Sequence, residues 1–117
     1  MFNFEKLEVW RKAIDFADLV YGLTKAFPED ERFGLTNQMR RAAVSISSNI
    51  AEGASRSSSS DYSRFIEIAT GSIFEVVSQS TIARNQGFLT SEQERAIYSA
   101  AEEQSRMLSG LKRSLTR

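Results

Sequence analysis

Apolar residues recur along this chain at alternating three- and four-residue intervals, the spacing that gathers them on one side of an α-helix. Leu7, Trp10, Ile14, Ala17 and Tyr21 form one such stripe. Leu35, Met39, Ala42, Ile46, Ile50 and Gly53 form a second. A third runs through Tyr62, Phe65, Ala69, Ile73, Val76 and Ala83, and a fourth through Ile97, Ala100, Gln104, Leu108, Leu111 and Leu115. Strand-like alternation is absent. Breakers divide the stripes: the segment FPEDERFGLT holds the only proline, Pro28, together with Gly34. The pattern therefore predicts four helices. The first spans about Glu5 to Ala26, and the second opens at an N-capping Thr36 and ends near Gly53 to Ser55. The third is capped by Ser58 or Ser60 and runs to about Gln86, with Gly87 just past its end. The last starts from a capping box of Thr90 and Gln93. Short connections make neighbours antiparallel, so the expected architecture is all-α, an up-down-up-down four-helix bundle over residues 1–117 as a single domain.

The first helix carries a second apolar stripe, Val9, Phe16, Val20, Leu23 and Phe27, rotated about a third of a turn from the first. Val44, Phe74 and Ile82 also point away from the stripes of their own helices. A helix apolar on two sides must bury both. Either the first helix presents one broad sector to the core, or its second stripe meets another copy of the chain. On the second reading Val9, Phe16, Val20, Leu23, Phe27, Val44, Phe74 and Ile82 are the candidate oligomer interface.

Composition narrows the chemistry. Neither His nor Cys occurs among the 117 residues, which removes the commonest general base, the commonest metal ligand and every thiolate site. Lys plus Arg and Asp plus Glu number 15 each, so there is no global basic excess of the kind that phosphate binding favours. No apolar run approaches the roughly 20 residues needed to span a bilayer. The opening MFNFEKLEVW lacks a basic-then-apolar signal pattern, and a cytoplasmic protein is expected.

The stretch AVSISSNIAEG, Ala43 to Gly53, spends helical positions on Ser45, Ser47, Ser48 and Asn49, all weak helix formers. A catalytic serine would need a base within reach and an oxyanion hole. No His exists and no Ser-x-x-Lys spacing occurs. Glu52 and Glu75 on neighbouring helices invite comparison with di-metal bundles, but those sites add Glu-x-x-His, which this chain cannot supply. We expect no enzyme, cofactor, metal or small-molecule substrate. The better reading is close packing, with small side chains admitting a neighbouring backbone and hydroxyls or amides pairing trapped polar atoms. Arg41, Ser45, Ser48, Asn49, Glu52 and Gly53 are the candidate packing residues.

The segments FGLTNQMRRAAVSISSNIAEG and RFIEIATGSIFE, with FEKLEVWRKAIDFADLVYGLTKAFPEDE upstream, resemble the proteins encoded in intervening sequences of 23S ribosomal RNA genes. Phe4, Leu7, Trp10, Ala13, Tyr21, Pro28 and Glu31 carry the likeness in the first helix and turn. Gln38, Arg41, Ser45, Asn49, Glu52 and Gly53 carry it in the second helix, and Phe65, Ala69, Gly71, Ser72 and Glu75 in the third. The resemblance implies a four-helix bundle that assembles into a homo-oligomeric ring, a pentamer in relatives, without established enzymatic activity. It also implies kinship with the accessory protein of diversity-generating retroelements, which binds a reverse transcriptase and nucleic acid. Two functions follow as expectations: an oligomeric scaffold for a protein client, or a module binding RNA or a ribonucleoprotein. For the latter the candidate patch is Arg40, Arg41, Arg56, Arg64, Lys112, Arg113 and Arg117. The run SRSSSS reads either as a serine-capped turn or as a phosphorylation-controlled loop.

Overall fold

The structure, a computed structural model, describes residues 1–116. Its helices are α1 (Glu8–Thr24), α2 (Leu35–Ala54), α3 (Ser59–Asn85) and α4 (Ser91–Ser114), with no strand among the described residues. α1 packs on α2, α2 on α3, α3 on α4 and α4 back on α1, while the diagonal pairs keep their backbones apart. The result is the expected four-helix bundle, 45 Å long and 21 Å across. No helix among the described residues is long and apolar enough to cross a membrane.

The helix ends follow local chemistry. The Ser58 hydroxyl accepts the Asp61 backbone N–H and starts α3. At the other end Gly87 adopts φ +81°, and the N–H groups of Gly87 and Phe88 donate to the carbonyls of Arg84 and Ala83. That pair of bonds is a Schellman closure, which needs a residue tolerant of the left-handed region. Thr90 and Gln93 bond reciprocally at the start of α4.

Two starts differ from expectation. The first helix is interrupted at Leu7, which is extended, so Asn3–Lys6 forms a separate 3₁₀ turn. That turn lets the Phe4 ring meet Trp10 edge-on at 5.1 Å, with Phe2 stacked behind it. Thr36 does not cap α2. The Glu31 carboxylate reaches over to accept the Leu35 N–H at 3.0 Å, and Thr36 is buried one residue inside the helix. Gly34 leaves room for that carboxylate, because a Cβ there would stand 2.9 Å from Glu31 Oε1.

The core explains the two stripes of α1. Val9, Ala13, Phe16, Ala17, Val20 and Phe27 are all buried within one chain, Phe16 at 2% and Val20 at 0% exposure. Leu23 is half-buried against the same cluster. The candidate interface reading is therefore corrected for Val9, Phe16, Val20 and Phe27: the first three form the core-facing line of α1, and Phe27, past its end, packs on Phe88 in the same core. Leu7, Trp10 and Ile14 occupy a half-buried flank, and Tyr21 reaches solvent. α1 buries a broad sector because it touches both α2 and α4. Ala13 and Ala17 sit at the middle of that sector, where small side chains keep the helices close.

Gln104 is the polar member of the α4 stripe, and it is 2% exposed. Its Nε2 donates to the Val9 carbonyl at 3.0 Å, which satisfies the amide N–H and joins α4 to the first turn of α1.

Candidate functional site

The serine-rich face of α2 lies against α3, the most closely packed pair in the bundle. Ser72 Oγ donates to Ser45 Oγ at 3.0 Å across the two helices. Asn49 Nδ2 donates to the Ser45 carbonyl at 2.8 Å and lies 3.0 Å from the Ser45 hydroxyl. Gly53 is buried, and a Cβ there would approach Phe65 Cβ to 2.9 Å and Tyr62 Cδ1 to 3.0 Å. Burial raises the pKa of the Tyr62 hydroxyl. Ser45, Asn49 and Gly53 thus meet packing partners inside one chain. Arg41, Ser48 and Glu52 do not; they are exposed. Glu52 pairs with Arg56 one turn on, at 3.5 Å. Ser47, outside the candidate set, is buried with its hydroxyl on the Val44 carbonyl.

Glu52 and Glu75 fall apart. The Ser45–Ser72 bond fixes the antiparallel register and puts Glu75 beside Ala42, ten residues or about 15 Å along α2 from Glu52. No cluster of acidic side chains able to hold a metal occurs among the described residues.

The candidate basic patch divides. Arg40 is held internally, its Nε donating to Thr24 Oγ1 at 2.9 Å and its guanidinium stacked 4.6 Å from the Tyr21 ring centre. Arg56 and Arg64 share Asp61 and flank the Phe65 ring. Lys112 meets Glu67 at 2.8 Å, and that hydrogen bond and charge hold the Glu67 carboxyl below its ordinary pKa. Arg41 and Arg113 have no ion-pair partner among the described residues. Arg117 lies outside the described residues. Sixteen residues of mostly helical rise, about 24 Å, separate Arg40 from Arg56, so the cations form no single surface.

Besides Met1 and Phe2 at the N-terminus, Phe33 between α1 and α2, and Ile68 on α3, large apolar side chains reach solvent on two outer seams. Between α3 and α4, Phe74 is 62% exposed and Tyr98 52% exposed, and both line a groove of about 350 Å³ with Val77, Ala101, Glu102 and Ser105. Between α1 and α2, Val44 at 41% exposure lies with Tyr21, Asn37, Arg40, Arg41 and Ser45. Ile82 is exposed further along α3. The apolar pattern marks Val44, Phe74 and Ile82 but not Tyr98, whose signal is its place beside Ile97, off the α4 stripe.

Residues 5–110 match the family described as 23S rRNA-intervening sequence protein. The chain belongs to that family. A solved structure from the S23 ribosomal protein family of Bacteroides thetaiotaomicron, described as a protein with unknown function, superposes with a TM-score of 0.79. It is 23% identical, and the match covers 89% of this chain and 97% of that one, so it shows a shared fold. No significant match was found among curated proteins. The span matched to the 23S rRNA-intervening sequence family takes in every candidate interface and packing residue, whereas Lys112, Arg113 and Arg117 lie past its end.

Proposed function

We infer that the protein is a non-enzymatic scaffold that works as a homo-oligomer, ring-like and of the pentameric size its family resemblance implies. One observation carries this reading: Phe74 and Tyr98, both more than half exposed, line the same groove between α3 and α4. Two large aromatic side chains left beside one apolar groove favour a protein partner, since exposed patches of this kind mark interaction surfaces. Light scattering or native mass spectrometry of the full chain tests the reading. A discrete multimer at micromolar concentration is the expected result. A monomer there would overturn it.

A second reading, binding to RNA or a ribonucleoprotein, draws on Arg106 and Arg113. They line the outer face of α4 with Glu102, Ser105 and Ser109, two cations to one acid, and neither has an ion-pair partner among the described residues. A ring would repeat these cations around its axis. Retention on RNA at low salt, weakening steeply as salt rises, is the signature of phosphate neutralisation. Absence of retention at low salt ends this reading.

A further inference from the structure

We propose that the hollow between α1 and α2 binds a small phosphate monoester, with the phosphate group held by the guanidinium groups of Arg40 and Arg41. The site lies apart from the α3–α4 groove and goes beyond the scaffold reading.

Charge selects an anion. The hollow, of about 470 Å³, is lined by Tyr21, Asn37, Arg40, Arg41, Val44 and Ser45, with no acid among them. Arg40 also borders a second hollow with Lys25, Arg32 and Glu29, but the acid there is held by Arg32 at 3.1 Å. On the flanking helices Asp18, a turn before Tyr21, and Glu75, level with Ala42, line neither hollow. Arg40 and Arg41 each lack an ion-pair partner among the described residues. A guanidinium stays protonated at every physiological pH, so the hollow keeps two positive charges without a counterion.

Position selects phosphate. Thr24, 2% exposed, donates its hydroxyl to the Val20 carbonyl at 2.8 Å, and its Oγ1 accepts Arg40 Nε at 2.9 Å. Arg40 Nη2 turns to the Tyr21 carbonyl at 3.5 Å, and the guanidinium lies over the Tyr21 ring. Arg40 is thus fixed in advance by a buried hydroxyl and an aromatic face, which spares a ligand much of the cost of ordering it. Its Nε–Nη2 edge is the fork that a carboxylate grips, and that edge is already turned to α1. A carboxylate is satisfied by the Arg41 fork alone and gains little from Arg40. A tetrahedral phosphate has a third oxygen to place on the remaining Arg40 N–H groups. Asn37, a turn before Arg41 on α2, adds an amide donor, and Val44 gives the body of the ligand an apolar seat.

Isolation selects a small molecule over a polymer. The other unpaired cations already named, Arg106 and Arg113, lie on α4, which does not touch α2. No track of arginines leads from the hollow for successive backbone phosphates to follow.

The test is equilibrium dialysis of the full chain against radiolabelled inorganic phosphate at low salt, where the zero net charge keeps non-specific uptake small. Uptake should saturate in the millimolar range and be displaced by glycerol 3-phosphate. Arg41→Gln should weaken it roughly tenfold, the worth of one charge-assisted hydrogen bond. Arg113→Gln should leave it unchanged. Both positions are exposed, so both variants should keep wild-type helicity by circular dichroism. Uptake that never saturates, an Arg41→Gln that binds like wild type, or an equal loss in Arg113→Gln overturns the site. Displacement by a short RNA with hydroxyl ends at lower concentration than by glycerol 3-phosphate also overturns it, assigning these arginines to a polymer. The oligomeric state, read separately by light scattering, bears on the scaffold alone.

Discussion

Truncating Phe16 to alanine should destabilise the folded chain by roughly 3–5 kcal/mol, the usual cost of removing a buried aromatic side chain. Phe16 is 2% exposed between Val9, Ala13 and Val20 on the core-facing line of α1, so the cavity left behind would be closed on all sides. Marginal domains have only about 5–15 kcal/mol in total, and the variant should unfold at a much lower urea concentration. The measurement is the denaturation midpoint of Phe16→Ala beside wild type. Wild-type stability combined with lost self-association would return Phe16 to an intersubunit surface.

Substituting Gly53 is the second large effect. In a helix, Gly→Ala alone gains about 0.5–1 kcal/mol from lower backbone entropy in the unfolded chain. Here the new Cβ would stand 2.9 Å from Phe65 Cβ and 3.0 Å from a Tyr62 ring carbon. Phe65 Cβ is fixed to its backbone, so α2 and α3 must separate locally to admit the methyl group. Overpacking of this kind costs about 1–3 kcal/mol, enough to outweigh the propensity gain. Gly53→Ala should lower the thermal midpoint, and Gly53→Val should lower it further. A neutral or stabilised Gly53→Ala would mean that the seam yields freely.

Fold and site differ in how far they were legible beforehand. Caps depend on one or two side chains and their immediate backbone, so Ser58, Gly87, Thr90 and Gln93 announced themselves through type and spacing. The stripes of α2, α3 and α4 named their own buried sides for the same reason, since the large apolar residues off them, Val44, Phe74, Ile82 and Tyr98, do not line up as a second continuous stripe. α1 did not. With two apolar sectors, period alone fixes the angle between them and leaves open which one the neighbours cover. The two alanines, Ala13 and Ala17, were the available clue, because small residues mark where helices approach. Thr36 failed as a cap because Glu31, four residues before Leu35 and beyond the local pattern, reached that backbone first. The groove at Phe74 and Tyr98 joins residues from two helices, 24 positions apart in sequence, and only their packing brings them together.

The bond from Gln104 to the Val9 carbonyl spans 95 residues, and it lies on the slimmest of the four seams. The other three seams join helices consecutive in sequence, so each can form with little loop-closure cost. Only the α1–α4 seam must bring the chain's two ends together. The ladder of local stabilities should therefore be lopsided: amide protons in α2 and α3 exchange last, and α4 loosens first, as a hinged stave leaves a barrel.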